Sequence, residues 1–207
     1  MSMKKSILAI TIAFLLSNAS AQYDEPENKG FKKENLFTGG SISLSFFNNT
    51  FLIGGNPVFG YKIANFMDAG VLVNYQYTSI RDYKVFDDRL RQSIYGGGVF
   101  TRLYPVNFIF AQVQLEHNFI TQKYIPASGS LLGGYKGTTS ANSLLIGGGY
   151  ASGRTNSGNS PFFYMSLLFD VSGNTNSPYT DGRGRTVPVI RAGFNLPLFQ
   201  GNGGSNN

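Results

Sequence analysis

Between residues 36 and 199 apolar and polar side chains alternate with a period of two, the pattern that gives a strand two unlike faces. Eight segments carry it. The first, about 36–47, sets Ile42, Leu44 and Phe46 against Ser41, Ser43 and Ser45. The second, about 51–64, sets Ile53, Phe59, Tyr61 and Ile63 against Asn56, Val58, Gly60 and Lys62, with Asn48-Asn49 as the turn before it. The third, about 69–80, sets Val71, Val73, Tyr75 and Tyr77 against Leu72, Asn74, Gln76 and Thr78. The fourth, about 92–104, places Tyr95, Val99 and Leu103 opposite Gly96, Gly98, Phe100 and Arg102. The fifth, about 107–120, places Ile109, Ala111, Val113, Leu115 and Phe119 opposite Gln112, Gln114, Glu116 and Asn118. The sixth is about 142–152, the seventh about 161–172 and the eighth about 187–199, where Ile190, Ala192, Phe194 and Leu196 oppose Arg191, Gly193 and Asn195.

Connections alternate between tight (65–68, 105–106) and long and polar (81–91, 121–141, 173–186), as in an up-and-down barrel with turns at one end and loops at the other, except that the first upper loop (48–50) is short and the last lower turn (153–160) is long. Alternation alone leaves the outer face open. A soluble barrel turns its apolar face inward and a membrane barrel turns it outward. Three features select the second. The polar face is built of Ser, Asn, Gln, Thr and Gly, whereas a water-facing exterior is about a quarter to a third charged. The segments exceed the 5 or 6 residues of an average soluble strand and reach the ~9–11 needed to cross hydrocarbon at a tilt. Rings gather toward the strand ends: Phe46, Phe51, Tyr75, Tyr77, Tyr95, Phe119, Tyr150 and Phe163. The expected fold is therefore all-β, an eight-stranded antiparallel up-and-down transmembrane β-barrel. A soluble exported barrel for a small apolar ligand is the inverted alternative.

Composition sharpens this picture. Glycine numbers 26, Phe 18 and Tyr 12, and charged residues are 14%, against about 25% in ordinary soluble domains. Such glycine content opposes a helical bundle, and the aromatics oppose disorder. Cys is absent, which excludes disulfides, thiolate metal centres and thiol chemistry. Gly96-Gly97-Gly98 and Gly147-Gly148-Gly149 lie inside strands beside Tyr95 and Tyr150, where glycine permits the curvature of a small barrel. Neither run leads into a helix or a phosphate-binding lysine motif.

The N-terminus reads as a cleavable export signal over residues 1–21. Lys4 and Lys5 precede an apolar run from Ile7 to Leu16, and Ala19 and Ala21 stand at the −3 and −1 positions before Gln22. Residues 22–35 read as a flexible polar lead, 36–199 as the barrel and 200–207 as a disordered tail. Losing Lys4 and Lys5 lowers the formal net charge from +6 to +4, and the remaining bases form no stripe in sequence, so a nucleic-acid partner is not expected.

Export signal, eight long amphipathic segments and a closing C-terminal strand together resemble the small outer-membrane β-barrel proteins of Gram-negative bacteria. The resemblance covers 36–199. Its most specific element is Arg191-Ala192-Gly193-Phe194-Asn195-Leu196-Pro197-Leu198, which is similar to the assembly signal of that family: polar, any, Gly, any, any, apolar, any, apolar. The resemblance implies that Arg191, Gly193, Leu196 and Leu198 are read by the barrel-insertion machinery. It implies an outer-membrane location among outer-membrane lipids, and no single activity.

Candidate chemistry is sparse. The only histidine, His117, falls on the apolar face with no serine at close spacing, and the adjacent Glu116 points the other way. An interfacial polar ring is the simpler reading than a lipid hydrolase. The inward charges Lys62, Arg102, Glu116, Asp170 and Arg191 are expected to pair as a structural plug, since eight strands leave an interior just filled by side chains. Asp87 and Asp88, with Arg81, Asp82, Lys84, Arg89 and Arg91, make a charged loop at 81–91, for which a solvated loop is the simpler reading than a divalent-cation or lipopolysaccharide contact. Tyr124, Ile125, Leu131, Leu132 and Tyr135 in the 121–141 loop form a candidate partner surface. No metal or cofactor is expected. The expected function is non-enzymatic: a structural or interaction protein, such as an accessory subunit of an outer-membrane complex, that uses loops 81–91 and 121–141. The alternatives are a narrow channel or transport-related barrel and a lipid-modifying enzyme.

Overall fold

A computed structural model describes residues 30–47, 49–155, 160–180 and 185–199, with backbone alone at 43–47 and 50. The predicted signal with Ala19, Ala21 and Gln22, most of the lead, the tail and the side chains of Leu44 and Phe46 lie outside the described residues. The barrel belongs to a compact unit that begins at Lys32.

Eight antiparallel strands close in sequence order: β1 (Leu36–Phe47), β2 (Thr50–Ala64), β3 (Met67–Arg81), β4 (Arg89–Val106), β5 (Ile109–Ile125), β6 (Tyr135–Ser152), β7 (Phe162–Asp170) and β8 (Val189–Pro197). Turns at 65–66, 107–108 and 153–161 define one rim. Segments 82–88, 126–134 and 171–188 define the other. The wall is uneven. β4 and β6 have 18 residues, β7 and β8 only 9. β5 runs beside β6 from Ile109 to Tyr124, whereas β1 meets β8 over the short stretch 36–41, the Leu198 N–H donating to the Leu36 carbonyl at its end.

The faces divide as the alternation predicts. Val71, Val73, Val99, Val113, Leu115 and Met165 are among the exposed exterior side chains. Arg102, Gln112, Gln114, Glu116, Asn118 and Ser166 are among those buried inside. Aromatics fill the turn-side interior: Tyr104, Phe110 and Tyr164 pack together, and Phe37, Phe100, Val58 and Leu72 form a second cluster. Inward-facing glycine leaves room for adjoining strands to approach. A Cβ on Gly98 would lie 2.0 Å from the Leu115 carbonyl oxygen, and one on Gly149 would lie 2.2 Å from that of Met165 and 2.5 Å from the Phe110 ring.

Several boundaries differ from the sequence expectation: the 65–68 turn shortens to 65–66 and the 173–186 loop widens to 171–188. The 81–91 loop shrinks to 82–88, because β3 and β4 pair up to Arg81 and Arg89. The 121–141 loop shrinks to 126–134, so Tyr124 and Ile125 lie on β5 and Tyr135 on β6. The end of the supposed lead is structured as a 3-10 turn at Lys33–Asn35, where the Lys32 N–H and the Asn35 amide donate to the Tyr61 hydroxyl at 3.1 and 3.5 Å.

Candidate functional site

The interior charges separate into layers. Nearest the turns, Arg154 pairs with Asp68 at 3.2 Å, donates to the Asn65 carbonyl at 3.0 Å and lies 3.7 Å from the centre of the Tyr104 ring. Lys62 is buried at the same end, in the wall of a cavity of about 20 Å³ that Asp68 and Arg154 also line. Above it, the Arg102 guanidinium sits over Tyr164 at 4.2 Å and Phe100 at 4.9 Å, and its Nε donates to Gln112 at 2.9 Å. From there a ladder climbs the inner face of β5. Gln112 donates to Gln114 at 2.6 Å, and Gln114 donates to Glu116.

Glu116 is the hub. Arg191 donates to it at 2.9 Å, Asn118 at 3.0 Å and the Tyr179 hydroxyl at 2.6 Å. Tyr179 comes from the stretch 171–180 after β7 and reaches Glu116 inside the barrel. Asp170 anchors the same segment by accepting from the Ser177 hydroxyl and from the Ser172 and Leu144 N–H groups. All five predicted inward charges are thus inside, but they do not form one cluster. The sequence reading missed Asp68 and Arg154, whose partnership spans 86 positions and leaves no local signature.

At the loop rim Asp88 departs from its expected solvated role. It is 1% exposed and accepts from the N–H groups of Tyr83, Lys84 and Val85 and from the Tyr124 hydroxyl at 2.8 Å. Desolvation opposes its charge. The hydrogen bonds from Tyr124, Val85, Lys84 and Tyr83 outweigh it and hold the carboxyl below the usual carboxylate range. Tyr124 is therefore corrected as a partner-facing residue: its ring points inward, 2% exposed, and stacks on Tyr135 at 5.6 Å. Ile125 is half-buried at the end of β5. Leu131, Leu132 and Tyr135 are exposed, Leu131 completely.

His117 points outward, as expected. Its Nδ1 lies 2.6 Å from the Asn142 amide oxygen, and its ring meets Phe119 edge-on at 4.8 Å. Among the described hydrogen bonds no hydroxyl or carboxylate reaches it, so no nucleophile-base pair forms around it. In the closing strand, Arg191 serves the lumen network, while Leu196 and Leu198 are exposed on the exterior. Gly193 lies where a Cβ would come within 2.1 Å of the Gly40 carbonyl oxygen. Comparison with known protein families and with curated proteins finds no match for this chain.

Proposed function

We propose that the protein is a non-enzymatic outer-membrane barrel with a structural or interaction role, presenting its loop rim to a partner as an accessory subunit of a larger assembly. One observation carries the membrane part: the closed cylinder turns valines, leucines and rings outward and its serines, amides and charges inward. In water that partition would leave a continuous apolar surface far beyond what soluble monomers expose. Aromatic side chains at both ends of the apolar band support it, with Tyr75, Tyr95 and Phe119 toward the loops and Phe108, Tyr150 and Phe163 toward the turns.

A filled interior supports a non-conducting role. Two cavities of about 20 and 10 Å³ leave room for roughly one water each. Exposed Leu131 and Leu132 at the loop tip support a protein partner. The membrane part is tested by fractionation and by gel mobility with and without boiling. Extraction only by detergent and a shift on boiling are expected, whereas a monomer soluble in plain buffer ends this reading. Gentle-detergent co-purification with Leu131→Asp/Leu132→Asp beside the parent chain tests the partner surface. A steady unitary conductance in planar bilayers would replace the proposal with the channel reading.

A further inference from the structure

The outer faces of β3–β6 are graded along the barrel axis. Cross-strand register aligns Tyr75, Tyr95 and Phe119 in one row, with Tyr95 and Phe119 stacked at 5.4 Å. One step toward the loops, the row is Tyr77, Ser93, Thr121 and Thr138. One step further it is Ser79, Arg91, Lys123 and Lys136, with Arg81 directly opposite Arg89 above. Two residues along a tilted strand rise about 5 Å, so the cations stand ~10 Å above the ring row. The order is apolar, aromatic, hydroxyl, cation.

Three cations on adjacent strands, about 5 Å apart across the sheet, repel one another and destabilise the pairing that holds them there. Among the described residues no carboxylate forms an ion pair with any of the five bases. Nearby Asp82 accepts from the Asn49 amide and the Asp87 N–H, and Asp88 is turned into the lumen. Arg91 Nε is buried without a hydrogen-bond acceptor. Such a row calls for an external anion with several oxygens at a fixed height above hydrocarbon.

We propose that Arg91, Lys123 and Lys136, extended by Arg81 and Arg89, bind the phosphate groups of lipid headgroups at the loop-side edge of the bilayer. The inference rests on the membrane reading above. Guanidinium and ammonium donors on neighbouring strands match phosphate oxygens, and each base near an anionic surface adds to binding.

The test compares the full barrel with Arg91→Gln/Lys123→Gln/Lys136→Gln, and with a control, Lys32→Gln/Lys33→Gln/Arg185→Gln, that removes equal charge elsewhere. Boiling-dependent gel mobility first establishes that each is folded. If the triple variant fails to fold, Lys123→Gln with Lys136→Gln replaces it. Each is titrated in phosphatidylcholine micelles with diphosphorylated lipid A or its dephosphorylated form, and bound lipid is counted by native mass spectrometry. Retention of the phosphorylated lipid is expected to fall about tenfold or more in the row variant and to hold in the control and in Arg91→Lys. Dephosphorylated lipid should show no difference between the proteins, and millimolar inorganic phosphate should not compete. Equal retention by the row variant, equal loss in the control, or displacement by inorganic phosphate overturns the proposal. A parent barrel that inserts into bilayers yet shows no phosphate preference overturns this inference alone. One that never inserts overturns the membrane reading itself.

Discussion

Glu116 shows how single residues hold this barrel. Its carboxylate receives Arg191, Asn118, Gln114 and the Tyr179 hydroxyl, so β5, β8 and the 171–188 segment converge on one side chain. Glu116→Gln leaves the Arg191 guanidinium buried without its counter-charge, which costs about 3–5 kcal/mol. Urea unfolding in lipid vesicles should show that loss, with much of it restored in Glu116→Gln/Arg191→Met. A loss under ~1 kcal/mol would mean that the hub is not structural. The outer face makes a separate prediction at the same scale. Val113→Arg, in the apolar band, should cost about 2–4 kcal/mol in vesicles, while Thr121→Arg, nearer the loops, should cost about 0–1 kcal/mol. Equal costs at the two depths would contradict a bilayer around the band. The inward identities of Lys62, Arg102, Glu116, Asp170 and Arg191 were legible because each occupies the polar phase of its strand. Asp68 and Arg154 were not. They lie near turns, where phase carries little information, and their pairing is purely tertiary.

Among the elements, the β3–β4 hairpin carries its own pH sensitivity. Asp88 ties the 82–88 loop to its own N–H groups and to Tyr124 on β5. Its folded pKa lies below the ordinary aspartate value of 3.8, so its contribution is complete above pH 3.8 and is lost as the pH falls through the lowered value. Hydrogen exchange at Tyr83, Lys84 and Val85, corrected for intrinsic rate, should therefore stay slow down to that range and accelerate below it. Asp88→Asn should accelerate it at neutral pH. Unchanged protection in that variant would assign the loop's order to something else. The same region shows why strand ends were misjudged. Beyond the apolar band the alternation continues, Gln122 and Tyr124 inward against Thr121 and Lys123 outward, but both faces become polar or amphipathic. A reading that depends on apolar contrast stops where the contrast stops, although the ladder runs on to Tyr124 opposite Tyr135.

At the scale of the whole molecule, fold class and strand order followed from one regularity, an apolar phase sustained through eight segments. The loop rim did not follow, because its structure comes from contacts between segments far apart: Tyr179 on Glu116, Ser143 on Ser177, Asn174 on the Asn142 carbonyl. Shortening the 171–188 segment to a tight turn should leave the barrel closed, since β7 and β8 pair without it, but remove Tyr179 and Ser177 from the lumen. The expected result is a folded protein by gel mobility with a lower urea midpoint. An unchanged midpoint would mark the segment as mere covering.

The uneven joins around the wall have a mechanical consequence. The first strand and the end of the chain share a short stretch from Leu36 to Ser41, while β5 and β6 zip together along nearly their whole length. Pulled apart by a tip or by heat, the cylinder should rip first along that brief closure, and the sheet should peel away from its two chain ends while its middle hairpins hold.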